Sequence, residues 1–194
     1  MQARGITLKW SFERYCQSAH YSSEKFRQEI FVEYPELQKQ DPTWELLYRE
    51  KQSNMERMLK EDTVSLMPGV QSLLNKIQSA NINHVVVTHS PLALISVVKA
   101  QHEVLQNIPH WITRQDYTHP KPHSECYQVA VQRHSKPGDR IIGFEDSPRG
   151  ITSLLGVNSK AVLIAQAAYP EIPGFIERGV KVFSSLEDAA SNEL

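Results

Sequence analysis

Two cysteines, Cys16 and Cys126, are all that the 194 residues contain, which excludes a disulfide framework and makes a reducing compartment the expectation. Charge of one sign is not in excess either. Lys and Arg number 21 against 22 Asp and Glu, for a formal net charge of -1. That balance removes the electrostatic case for a nucleic-acid or anionic-membrane partner. Long hydrophobic runs are missing: none approaches the ~20 residues of a membrane span. The opening Met-Gln-Ala-Arg-Gly-Ile-Thr lacks the apolar stretch of a secretory signal. No internal repeat or low-complexity tract is present. Together these absences predict a cytoplasmic globular chain, long enough for one domain or for one domain with a subdomain.

A convincing strand is also absent from residues 1–65, which read as a small all-helical unit. Thr7 is suited to cap a helix through Trp10, Phe12, Tyr15 and Cys16. Ser22 or Ser23 is suited to cap a second, with Phe26, Ile30 and Phe31 along one face. Asp41-Pro42 opens a third, because Asp suits the N-cap and Pro the first helical position; it carries Trp44, Leu47, Tyr48, Met55 and Leu59.

At Met67-Pro68-Gly69 the pattern changes, and residues 66–194 alternate between strand and helix. Strands are expected at 84–87, 111–112, 140–144, 160–164 and 180–183. Helices are expected near 70–77, 91–100, 123–133, 148–155, 171–178 and 186–190. Continuous apolar strands separated by helices of this length predict an α/β fold with a parallel sheet covered on both faces. In such sheets ligands collect at the carboxyl ends of the strands.

Three polar signals fall at that edge. Thr88-His89-Ser90 ends a Val-Val-Val strand before a helix, so a hydroxyl and free backbone N–H groups form a corner suited to phosphate. Strand termination and helix capping explain the same residues without a ligand. Lys121 lies in His119-Pro120-Lys121-Pro122-His123, where the prolines stiffen the backbone and aim the side chain. A lysine so held can neutralise a phosphate or a carboxylate. Glu145-Asp146 ends another apolar strand, and two adjacent acids there suit Mg²⁺, which takes one or two carboxylates plus waters and phosphate oxygens. The alternative for the acid pair is capping of the helix at Pro148. His119 and His123 are four apart, but the two prolines break the helical face that a zinc pair would use. Ser147 lies outside a Gly-x-Ser-x-Gly elbow, which argues against a serine hydrolase.

Val-Val-Val-Thr-His-Ser, Lys-Pro-His-Ser-Glu-Cys-Tyr and Gly-Phe-Glu-Asp-Ser-Pro-Arg-Gly, in that order and at that spacing, resemble the second, third and fourth motifs of the haloacid dehalogenase superfamily. The similarity is to its β-phosphoglucomutase and phosphoglycolate phosphatase-like branch, whose members carry a helical cap. It implies a Rossmann-like parallel core at 66–194 and a cap at 1–65. Thr88 would bind the transferring phosphoryl group, with His89 and Ser90 beside it, and Lys121 would hold nucleophile and phosphate. Glu145 and Asp146 would hold Mg²⁺, supported by Ser147. The substrate would be a small phosphorylated metabolite. Ser124 stands where the family often has a second Pro.

The family's first motif, Asp-x-Asp-Gly after an N-terminal strand, has no counterpart. The first Asp of the chain is Asp41, and no Asp-x-Asp occurs anywhere. The resemblance places that motif, with its nucleophile and its general acid/base, upstream of Met1. It also makes the missing strand central, so the strands ending at Val87 and Phe144 should flank an empty slot with unpaired backbone groups. Either the native product is longer, or residues such as Gly5 to Trp10 replace the strand; Lys9 and Trp10 suit an amphipathic helix better. Three functions are compatible: a phosphohydrolase working through an aspartyl-phosphate, a phosphomutase with a cap arginine among Arg4, Arg14 and Arg27, or an inactive phosphate-compound binding protein.

Overall fold

The computed structural model describes residue 1 and residues 4–20, 23–40 and 43–193. Four helices come first: α1 (Phe12–Ala19), α2 (Ser23–Glu33), α3 (Glu36–Lys39) and α4 (Trp44–Glu61). The first helix starts later than its composition predicts. Ser11, not Thr7, is the N-cap, and its hydroxyl accepts from the Arg14 N–H at 3.1 Å. Residues 6–10 are neither helix nor strand; Ile6 is instead buried with Ile30, Tyr34 and Leu37. Gly5 to Trp10 therefore does not replace a core strand. The expected caps at Ser22 and Asp41-Pro42 lie outside the described residues, as does the Ser23 side chain, and Thr43 caps α4 by accepting from Leu46 N–H at 3.2 Å. Phe26 organises the aromatics, meeting Trp10, Tyr15 and Trp44 edge-on at centroid distances of 5.9, 5.7 and 5.8 Å. Such pairs contribute about 0.5–1.5 kcal/mol each beyond area burial.

The remainder alternates as α5 (Val70–Ser79), β1 (Val85–Val87), α6 (Leu92–Gln101), α7 (Glu103–Gln106), β2 (His110–Ile112), a 3₁₀ turn at Arg114–Asp116, α8 (Glu125–His134), β3 (Ile142–Glu145), α9 (Pro148–Leu154), β4 (Lys160–Ile164), α10 (Ile172–Glu177), β5 (Lys181–Phe183) and α11 (Leu186–Glu193). All strand pairing is parallel, as crossover helices require. Helices cover both faces: Val85 and Val87 pack toward the cluster containing Tyr127 and Leu154, and Val86 toward Val104, Leu105 and Ile108. Among the described residues no helix is long and apolar enough to cross a membrane.

The sheet is interrupted. β1 pairs only with β2, while β3, β4 and β5 form a separate ladder in that order. Between β1 and β3 lies a cavity of about 560 Å³. Its sides are the two strand edges, and its faces are Leu73 and Ile77 of α5 and Tyr127 and Ala130 of α8. Residue parity defines what the edges present. Thr88 N–H donates to Ile112 C=O at 2.8 Å, so Thr88 and Val86 bond toward β2, and Val85 and Val87 turn the other way. Lys160 N–H donates to Ile141 C=O at 2.8 Å, so Ile141, Gly143 and Glu145 face β4, while Ile142 and Phe144 face the cavity. Burial follows: β4 is buried from Ala161 to Ile164, whereas every residue of β1 and β3 is only half-buried. Among the described residues no strand pairs with these two edges.

Candidate functional site

Thr88 follows β1, and Glu145 and Asp146 stand at the end of β3, while Lys121 lies in the loop before α8. Lys121 joins the two halves. Its Nζ donates to Glu145 Oε1, to the Val87 carbonyl at 3.2 Å and to Tyr127 Oη at 3.3 Å. Tyr127 Oη in turn donates to the same Glu145 oxygen. The side chains of Lys121 and Glu145 are only 9% and 8% exposed, so this is a desolvated pair with further polar partners. Burial, followed by the Glu145 charge, pushes the Tyr127 phenol well above its ordinary pKa and keeps it a proton donor. The Lys121–Pro122 bond that sets this loop is cis.

Glu145 is the last residue of β3, one beyond the strand end expected from sequence, and pairs with Leu163. Its Oε2 lies over Gly150 of α9, where a built Cβ would sit 1.9 Å away. Only a glycine leaves room for it. Asp146 is exposed, with no hydrogen bond or ion pair among the described residues. The acids do not cap α9; Ser147 does, accepting from Gly150 N–H at 3.2 Å. The Ser147 hydroxyl keeps its own proton and a second lone pair beyond that bond. The donor set fits a hard divalent cation: the adjacent carboxylates of Asp146, which is exposed, and Glu145, whose Oε2 takes no part in the Lys121 and Tyr127 bonds, supply hard oxygens.

In the turn after β1, Thr88 Oγ1 accepts from Ser90 N–H at 3.1 Å. Ser90 does not cap α6, whose N-cap is Pro91. His89 Nδ1 lies 3.1 Å from Tyr117 Oη, and Tyr117 donates to Thr88 C=O at 3.2 Å, so the His89 N–H is the donor of that pair. Burial, then Arg149, Arg114 and Lys121, lower the His89 pKa to about 4, so the ring is neutral at pH 7. Burial pushes Tyr117 up to about 12.

Several residues were not legible as site residues from sequence. Tyr127 could not be assigned because its contact depends on how α8 meets β3. Arg149 has a buried Nε without a hydrogen-bond partner, and its charge is felt by His20, His89 and Tyr117. His20 closes α1, and its Nδ1 lies 2.9 Å from Tyr169 Oη; burial lowers its pKa against the opposing pull of Asp146. The helical segment meets the core at Tyr169 through His20 and at Ala168, whose carbonyl accepts from Gln17 at 3.1 Å. The prolines that exclude a helix at His119–His123 instead build a turn. The ligand atoms of His119, His123 and Glu125 lie within 4.8 Å of one another there, with Glu125 committed to His119 Nδ1 and to the Thr118 and His119 N–H groups.

The arginines considered for a phosphomutase are all paired. Arg4 grips Glu50 at 2.6 and 3.0 Å, Arg14 meets Glu29 at 3.2 Å and Glu33 at 3.3 Å, and Arg27 meets Glu24 at 2.7 Å.

Residues 11–164 match the family described as haloacid dehalogenase-like hydrolase. The chain belongs to that family. Among solved structures, CbbY from Rhodobacter sphaeroides in complex with phosphate shares 19% identity and a TM-score of 0.72 over 96% of this chain and 84% of that one. A family IA, variant 3 haloacid dehalogenase hydrolase from Entamoeba histolytica gives 19% identity and a TM-score of 0.67, covering 98% of this chain and 87% of that one. β-Phosphoglucomutase from Clostridium difficile gives 20% identity and a TM-score of 0.62, over 88% and 74%. At these identities the likeness is one of fold. No curated protein matches the chain.

Proposed function

We propose that this haloacid dehalogenase-like chain is the phosphate- and Mg²⁺-binding part of a phosphohydrolase acting on a small phosphorylated metabolite. One observation supports the reading: Lys121 bridges the carboxyl ends of β1 and β3, joining the Val87 carbonyl beside Thr88 to the Glu145 carboxylate beside Asp146. The backbone N–H groups after β1, with Thr88, His89 and Ser90, take the phosphoryl oxygens. Lys121 supplies the positive charge that a phosphoryl group and its attacking carboxylate both need. Glu145 Oε2 and Asp146 would hold Mg²⁺, which when bound neutralises charge on the transferring group. Tyr127 keeps Glu145 in place. Residues 1–65 act as the cap and residues 66–194 as the core, with His20 closing over the site from the cap side.

The attacking Asp, which would form the aspartyl-phosphate, comes from outside these 194 residues; the carboxylate nearest Lys121 is Glu145, already held by two donors. The test is p-nitrophenyl phosphate hydrolysis with Mg²⁺ by this chain alone and joined to a strand bearing Asp-x-Asp. Only the joined form should turn over, and Asp146→Asn should abolish its activity. An inert joined form overturns the hydrolase reading. In that event the two-donor hold on Glu145 favours the binding-protein alternative, which calorimetry with phosphorylated sugars would reveal as affinity without turnover.

A further inference from the structure

We infer that the turn carrying Lys121 binds a Zn²⁺ ion between the imidazoles of His119 and His123. The two rings flank the lysine in sequence, and the fold brings them together, with centroids 4.8 Å apart and planes tilted by 39°. Two imidazole nitrogens each about 2.0–2.1 Å from one ion put the ring centroids about 4.5–5.2 Å apart, so the spacing is already that of a chelate. One nitrogen of each ring and one Glu125 oxygen lie within 4.8 Å of one another. Oxygen ligands suit Mg²⁺, whereas imidazole suits zinc and the transition metals, so this pair and the Glu145–Asp146 pair select different ions. The other close histidine pair, His110 and His134, stacks at 4.0 Å with planes 19° apart, so its nitrogens point side by side rather than at one ion.

The turn holds both rings from beneath. Glu125, the first residue of α8, accepts from Thr118 N–H at 3.0 Å on Oε1, and from His119 N–H and Nδ1 at 2.6 and 2.7 Å on Oε2. A carboxylate can only accept, so His119 carries a proton on Nδ1 and, when neutral, its lone pair on Nε2. Outer carboxylates fix metal-binding histidines in this tautomer. Among the described residues no hydrogen bond engages Nε2, and the His119 side chain is 65% exposed, open to an ion from solvent. His123 is anchored through its backbone: its N–H donates to the Pro120 carbonyl at 3.0 Å, and its carbonyl accepts from the hydroxyl of fully buried Ser153 at 2.7 Å. Little ordering of the main chain therefore remains to be done on binding. The His123 ring itself is exposed, and Nδ1 accepts only from the Glu125 N–H at 3.1 Å. Rotation about Cβ–Cγ frees that nitrogen for the ion and passes the N–H to water. An ion so held ties residues 119 and 123 together across Lys121, whose Nζ reaches Glu145 and the Val87 carbonyl. Zinc here stiffens the segment that aims the lysine.

The test titrates ZnCl₂ into the full chain by calorimetry, after treatment with a chelator and in excess MgCl₂ so that hard-oxygen ligands do not compete. One Zn²⁺ should bind per chain, and His119→Ala and His123→Ala should each weaken binding at least about ten-fold, while His110→Ala leaves it unchanged. Both rings are exposed, so these substitutions keep the fold, which circular dichroism checks. Zinc should also raise Tm in the unaltered chain and not in His119→Ala. Imidazole ¹⁵N spectra of the unaltered chain should show His119 bound through Nε2 with Nδ1 still protonated. Absence of binding, equal binding by either alanine variant, or zinc shifts at His110 and His134 in place of His119 and His123 would overturn the proposal. Coordination of His119 through Nδ1 would overturn Glu125 as the group that orients it. None of these readouts involves phosphate chemistry, so the zinc site and the hydrolase reading fail or stand separately.

Discussion

Replacing Gly150 by Ala sets two effects of opposite sign against each other. Gly150 lies inside α9 with ordinary helical backbone, so propensity alone predicts that Ala stabilises by about 0.5–1 kcal/mol. The structure predicts the reverse. A Cβ there would sit 1.9 Å from Glu145 Oε2 and 2.3 Å from Cδ, so the carboxylate must swing away. It is not free to do so at no cost, because Lys121 and Tyr127 both donate to it. Losing two bonds to a charged group at about 1.5–3 kcal/mol each, partly recovered by hydration and by the propensity gain, leaves a net destabilisation of about 2–4 kcal/mol. For a chain of this size that lowers Tm by roughly 4–16 °C. Urea unfolding followed by circular dichroism measures it, with Gly174→Ala as control. Gly174 also lies in a helix but has nothing within 4 Å of its built Cβ, so Ala there should stabilise. A Gly150→Ala chain as stable as the parent would refute the claim that the Glu145 carboxylate is pinned.

Three further outcomes are expected. Lys121→Met should destabilise by about 3–5 kcal/mol, since it leaves Glu145 buried with only a phenol, and a double-mutant cycle with Glu145→Gln should recover much of the loss; additive losses would mean the pair is not coupled. Half-buried His89 titrates near 4 in the fold against 6.5 unfolded, so the unfolded chain takes the proton first and stability falls as pH drops from about 6.5 to 4. After discounting for solvent the loss is on the order of 1–2 kcal/mol, and a histidine NMR titration showing an unshifted His89 would contradict it. Ser11→Ala should cost about 1 kcal/mol in chemical unfolding while Thr7→Ala costs almost nothing, because only the Ser11 hydroxyl caps α1.

Much of the core was legible because long apolar runs bounded by turn residues leave few alternatives. The strand Lys160–Ile164 is observed as expected, and the empty slot follows from an absent motif. What was not legible depends on contact rather than pattern. Glu36–Lys39 and Glu103–Gln106 are single turns, too short to show periodicity. The start of α1 was misplaced because Thr7 and Ser11 are equally good caps in sequence, and burial of Ile6 against α2 and α3 chooses between them. Arg4, Arg14 and Arg27 look available until the folded helices bring acids to each. Tyr127 and Gly150 acquire meaning only when α8 and α9 are set against the end of β3.

The interrupted sheet also bears on how the protein behaves at high concentration. An ordinary exposed strand edge is dangerous because each strand that adds presents a fresh edge to the next, and growth has no natural end. A strand entering between β1 and β3 spends both its edges at once. The sheet becomes continuous and that strand offers no new edge, in contrast to addition at the outer edges of β2 and β5.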